Sequence, residues 1–277
     1  MKTLIVPTDY SVNARNAINF AAQLAKDIHA KLELLHVFHL PVVIDEAPHR
    51  MISMEEMEKV NLKQSSALAK EVQDEFDIKV DSSVYPGFVS DVLSEVMENR
   101  PGDVVVMGMR GINPSRRLLW GGVTASVLHD CTFPLLIIPS DAKYRPVKNI
   151  LITCDFQPVS AQNKFQLIKD LAFIYSAKVQ VVHFKKPEAA LVEVAGCVES
   201  GQQLERALRG VRHSYSTIEK EDIIKGIEEC VKANKANLLV MVHRKKSFWK
   251  NITTGSFTKK MAFHSHIPLL ALPYVQK

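Results

Sequence analysis

Four glycines fall within 17 residues of this chain, in the stretch "GMRGINPSRRLLWGGVT" from Gly108 to Thr124. Gly108 and Gly111 stand three apart, nine residues separate Gly111 from Gly121, and Gly122 follows at once. The apolar run "DVVVM" (103–107) precedes the stretch and "ASVLHD" follows it, so it reads as the passage from a buried strand into a helix. Glycine at such a place lets a ligand approach bare backbone. A helix start adds unpaired N–H groups and the positive end of the helix dipole. Together they form a cradle for an anion, phosphate above all. Arg116 and Arg117 would add charge, and Thr124 a hydroxyl on the first turn. The same glycines would also serve a connection that needs only tight turns, with its arginines in water.

A carboxylate belongs with them. Asp9, in "VPTD", closes the first apolar run of the chain. At a strand end it can accept hydrogen bonds from ribose hydroxyls, and it can equally cap the helix that follows. Cradle and carboxylate together point to a nucleotide. Turnover needs more, namely a positioned water and a base or stabilising cation. No side chain stands out as the water-positioning group, and the phosphate-loop pattern G-x4-G-K-(S/T) is absent.

The elements that must position these residues occur twice. "KTLIVPTD" (2–9) returns as "KNILITCD" (148–155), "KLELLHVFHLP" (31–41) as "KVQVVHFKKP" (178–187), "DVVVM" as "NLLVM" (237–241), and "FPLLIIP" (133–139) as "IPLLALP" (267–273). The order is the same in both copies, so the chain is read as a duplication, with domains at 1–145 and 146–277 divided by the polar segment 140–149. In the first copy, strands are expected at about 2–8, 32–38, 78–84, 103–108 and 134–139. These runs are rich in Val, Ile and Leu and mostly lack polar alternation, as parallel strands buried on both faces do. Between the first two runs, Ala14, Ala17, Ile18, Ala21, Leu24 and Ala25 recur at helical spacing behind Ser11, a suitable N-cap. Further helices are expected over 51–75 and 88–99, and "YPG" (85–87) reads as a turn. The expected fold is α/β: two tandem doubly wound, five-stranded, mainly parallel sheets. In such sheets ligands bind beyond the carboxyl ends of the strands where strand order reverses.

With these residues in place the sequence resembles the universal stress protein family in its tandem-domain form, over nearly the whole chain. ATP-binding members carry G-x2-G-x9-G-(S/T), and Gly108, Gly111 and Gly121 match that spacing, with "VPTD" and "LLHV" (34–37) alongside. The resemblance implies an adenine-nucleotide-binding regulator of the stress response, holding ATP, or ADP or AMP, with Mg²⁺. Asp9 would contact ribose, and the backbone near Val37 the adenine. Pro7, Thr8, Met107 and Gly108 would line the base and sugar pocket. Gly111, Gly121, Gly122, Val123 and Thr124 would surround the phosphates. The fifth strands, which pair across a dimer interface in the family, would here pair with each other as an internal pseudo-dimer, with a homodimer also open. An unidentified protein partner is implied. A slow ATPase and a ligand-free interaction module are the alternatives.

Two departures bear on this. The family's Ser/Thr position is Gly122, which removes a hydroxyl donor while keeping the backbone N–H; a hydrogen bond to a charged group is worth about 1.5–3 kcal/mol. In the second copy, aligning "GSFT" (255–258) on "GGVT" puts Val242 and Lys245 where Gly108 and Gly111 stand, while Asp155, Gly255, Ser256 and Thr258 are kept. That copy reads as a degenerate site serving as scaffold. Its loop "HRKKSFWKN" (243–251) is basic with two aromatics, a minor reading for nucleic acid, which is not the expected partner. His36 and His183 read as strand-end structural residues, and "HSH" (264–266) has no carboxylate or Cys partner nearby in sequence, so a metal site is not expected there.

Composition agrees with a folded, cytoplasmic protein. Hydrophobic residues make up 47% of 277, no apolar run reaches membrane-spanning length, and the opening residues read as a strand rather than a signal peptide. The four cysteines, Cys131, Cys154, Cys197 and Cys230, are scattered and read as reduced thiols. Net charge is +5, with 15 basic and 19 acidic residues in 1–145 against 20 and 11 thereafter. A basic second half marks either an anionic partner or a solvated face.

Overall fold

The computed structural model describes residues 2–39, 53–100, 103–109, 122–154, 165–185, 204–243 and 257–273. The first half runs β1 (Thr3–Thr8), α1 (Val12–Ile28), β2 (Lys31–Phe38), α2 (Met54–Phe76), β3 (Val80–Pro86), α3 (Val89–Glu98), β4 (Val104–Met109), α4 (Val123–Asp130) and β5 (Leu135–Pro139). The second runs β6 (Asn149–Cys154), α5 (Gln166–Tyr175), β7 (Lys178–Lys185), a helical turn at 204–207, β8 (His213–Glu219), α6 (Ile223–Ala233), β9 (Leu238–His243), α7 (Phe257–His264) and β10 (Leu269–Pro273).

The strands form one sheet in the order β3-β2-β1-β4-β5-β10-β9-β6-β7-β8. Each half is a parallel five-stranded unit, and the two meet through the antiparallel pair β5–β10, with Leu136 opposite Leu270. The expected pseudo-dimer is therefore one continuous sheet. The proline-bounded fifth strands lie at its centre, and its edges are β3 and β8. Chain order reverses between β1 and β4 in one half and between β6 and β9 in the other.

Alternate residues of each strand enter opposite cores. Leu4, Val6, Leu34, Val104 and Val106 join the face covered by α1 and α2; Ile5, Leu35, Val105 and Met107 join that covered by α3 and α4. The α1 positions expected to face inward, Ala14 through Ala25, are buried. Ser11 caps that helix, its hydroxyl accepting from Ala14 N–H at 3.2 Å. The Ser53–Glu56 capping box starts α2. One boundary differs from expectation. Tyr85 and Pro86 continue β3, paired with Val37 and Phe38, so the turn falls on Gly87, whose φ of 126° favours glycine. Cys131 and Cys230 are buried thiols.

Polar contacts brace the end of the first half, and those of Tyr175 and Lys2 tie it to the second. Asn16 of α1 donates to the carbonyls of Pro139 (3.1 Å) and Ala142 (3.2 Å). Tyr144 donates to Asp27 at 2.6 Å, the Tyr175 hydroxyl meets the same carboxylate, and Lys2 pairs with Asp170.

Candidate functional site

Because β1 and β4 are neighbours, paired Leu4 to Val104 and Ile5 to Val105, the residues that end them meet at the carboxyl edge of the sheet. Asp9 follows β1, and Gly108 lies one residue from the end of β4. This is the strand-order reversal, where an open α/β sheet leaves a crevice.

The Asp9 side chain is exposed and accepts the Ser11 N–H at 3.0 Å, an Asx turn that leads into α1. Thr8 is buried, its hydroxyl accepting the Tyr10 N–H at 3.1 Å, and Pro7 lies in the β1–β2 ladder opposite Leu35. Val37 is half-buried near the end of β2 against the α3/α4 core. The Met107 side chain is buried in that core, so at the crevice it offers backbone only.

Gly108 has an internal reason to be glycine. A Cβ there would stand 2.4 Å from the Asn13 carbonyl oxygen, so the absent side chain lets the first turn of α1 lie on β4. The register of β9 on β10 sets Val242 opposite Leu272, as β4 sets Gly108 opposite Ile138, so Val242 is the structural counterpart of Gly108. The helix after β6 begins at Gln166 and runs 10 residues, against 17 for α1. A valine at the counterpart position is incompatible with the helix contact seen at Gly108.

At α4, Gly122 is the N-cap, with nothing within 4 Å of where a Cβ would stand and no side-chain cap bond. Val123 is exposed. Thr124 donates its hydroxyl to the Gly108 carbonyl at 2.8 Å, joining the helix start to the strand end. That uses the hydroxyl's one proton, so in this arrangement Thr124 does not replace the donor missing at Gly122. Gly111 and Gly121, with Arg116 and Arg117, lie outside the described residues, as do Asp155, Lys245, Gly255 and Ser256. Thr258 is buried.

The structure adds two residues to which their types alone gave no signal. Asn13 is the partner of Gly108 just described. Tyr10 has φ 60°, a conformation that costs a non-glycine residue of order 1–3 kcal/mol. Its ring lies 4.7 Å from that of His36, whose Nδ1 is 2.8 Å from the Thr8 carbonyl oxygen. Burial pushes the Tyr10 pKa up, with the Ser65 hydroxyl of α2 opposing. Backbone strain beside Asp9 is thus held by packing on β2 and α2. A cavity of about 370 Å³ lies on the α1/α2 side, lined by Thr8, Tyr10, Ser11, Arg15 and Leu68 among others. Arg15 bonds Glu71 and Glu75. The cavity lies across the sheet from Val37 and α4.

His264 and His266 stand 3.7 Å from Glu228 and 3.5 Å from Asp141, respectively. Among the described residues no helix is long and apolar enough to cross a membrane.

Comparison with known proteins covers both halves. The family model for the Universal stress protein family matches residues 1–139 and again 146–273. A universal stress protein of Methanocaldococcus jannaschii is 24% identical over 145 residues, 51% of this chain and 84% of that protein. One of Synechocystis is 30% identical over 139 residues, 50% of this chain and 85% of that protein. The crystal structure of a universal stress protein from Archaeoglobus fulgidus superimposes with TM-score 0.73 at 18% identity, covering 98% of each chain, a likeness of fold.

Proposed function

The chain belongs to the universal stress protein family, and from that premise we propose that residues 1–145 hold one adenine nucleotide, ATP with Mg²⁺ as the first choice, while residues 146–277 serve as its scaffold. The bound nucleotide would shift a conformational or partner equilibrium, which a ligand does only by binding the two states unequally.

The observation that carries this reading is the junction of Asp9, Gly108 and α4 at the strand-order reversal. A carboxylate closes β1, a glycine stands at the end of β4, and the Thr124–Gly108 bond sets the start of α4 against that strand end. An exposed carboxylate suits ribose, and the first-turn amides of a helix suit phosphate. The strained Tyr10 beside Asp9 fits a site whose geometry is stored in the fold. Val242 supports one site per chain rather than two.

The second reading, a ligand-free interaction module, draws on Gly122 and on the Thr124 hydroxyl, already engaged by Gly108. Mass spectrometry of nucleotide released from the freshly isolated protein separates the two. Adenine nucleotide bound to the wild type and lost from Asp9→Ala supports the nucleotide site. A chain that carries none, and takes up none when incubated with ATP and Mg²⁺, supports the module.

A further inference from the structure

At the same carboxyl edge, on the α3 side, the structure holds an aromatic pair that the nucleotide reading does not use. Gly87 donates its N–H to the Phe38 carbonyl at 3.0 Å, one step beyond the β2–β3 ladder, and its φ of 126° swings the chain into α3. That turn presents Phe88 as the N-cap of α3, with its ring 5.3 Å from the ring of His39, which follows β2. The Phe88 side chain is 66% exposed, and His39 is exposed as well.

Phe88 breaks two local rules. A helix N-cap favours Ser, Thr, Asp or Asn, and Phe88 makes no side-chain cap bond. A large apolar ring gains nothing in water. The second half provides the contrast. There Lys220 donates to the Lys185 carbonyl at 3.1 Å, as Gly87 does to Phe38, and the helix that follows is capped by Asp222, whose carboxylate accepts from Lys225 N–H at 3.2 Å. At this one position the half that keeps Gly108 carries an exposed aromatic and the half with Val242 an ordinary cap; elsewhere in the second half Phe165 caps α5 without a side-chain bond and Phe173 is exposed. What sets Phe88 apart is that both rules are broken at one residue, at the carboxyl edge of the sheet, where violations of local rules are expected at functional sites.

The pair also lies near Val37, the position at which the family resemblance puts the adenine. His39 is two residues past Val37, and α3 covers the same face of the sheet as α4 and the Val37 side chain. A flat π-face at a site edge takes a flat heterocycle, because base–aromatic stacking needs no hydrogen-bond code. We propose that Phe88, backed by His39, is a stacking platform for the base of the bound nucleotide, and so a base-binding residue that raises the affinity of this site. The inference rests on the nucleotide reading of the first half.

The test is calorimetric titration of the full chain and its Phe88→Ser and Phe88→Trp variants with ATP and with inorganic triphosphate, both with Mg²⁺. Serine is a good N-cap, so Phe88→Ser is expected to keep or raise Tm. It should weaken ATP binding about tenfold or more and leave triphosphate binding unchanged, while Phe88→Trp retains ATP. Wild-type ATP affinity in Phe88→Ser, or equal loss of both probes, overturns the platform while leaving the nucleotide site standing. A wild-type chain that binds no ATP overturns both.

Discussion

The Thr124 hydroxyl donates to the Gly108 carbonyl across 2.8 Å, so the first turn of α4 is tied to the end of β4 at the strand-order reversal. Thr124→Val keeps the shape and removes the bond. The expected loss of stability is about 1 kcal/mol, with weaker binding of ATP because the helix start is no longer held. Denaturant unfolding and ATP titration of the variant check both parts.

Gly122 is the opposite case, a position with open space. A Cβ there meets nothing within 4 Å, and its φ of −64° suits any residue. Gly122→Ser restores the hydroxyl that the resemblance places there and adds an N-cap. Affinity for ATP is expected to rise about tenfold, from a hydrogen bond to a charged group worth about 1.5–3 kcal/mol. Gly122→Ala, tested beside it, should bind like the wild type.

Gly108 tolerates no such addition. The Asn13 carbonyl oxygen lies 2.4 Å from where a Cβ would stand. Gly108→Ala is expected to lose about 1–3 kcal/mol of stability through the displaced α1 contact, seen as a lower midpoint in urea.

The junction of the halves has a pH signature. Burial raises the Tyr175 pKa to about 12, helped by its bond to Asp27, and burial likewise raises that of Tyr144. Unfolded tyrosine titrates near 10. Between about pH 10 and 12 the unfolded chain therefore binds fewer protons than the folded one, and stability falls as pH rises. Below pH 10 the contribution is fully present. Tyr175→Phe should flatten this alkaline limb of thermal stability, and absorbance titration of tyrosinate in the wild type should show late-ionising groups.

Much of this arrangement is legible in the sequence, for identifiable reasons. Short Val-, Ile- and Leu-rich runs favour strands covered on both sides, by their length and β-branched content, and the spacing from Ala14 to Ala25 favours a helix with one buried face. The paired repeats announce two like halves. What residue types do not carry is who meets whom. Gly108 reads as an opening for a ligand, yet the Asn13 carbonyl occupies the space its side chain would fill. The pairing of the fifth strands with each other comes from the resemblance, and β5 and β10 do pair, at the centre of the sheet. Tyr85 and Pro86 read as a turn but pair with β2. Strain at Tyr10 and the exposed pair His39–Phe88 are properties of backbone path, to which no spacing rule points. The glycines at 111 and 121 lie outside the described residues.

One nucleotide per chain, held by the first half, is checked by isothermal titration of the wild type and Asp9→Ala with ATP and Mg²⁺. About one ATP should bind per chain, and Asp9→Ala should bind none. No binding, two sites per chain, or a single site indifferent to Asp9 overturns the assignment.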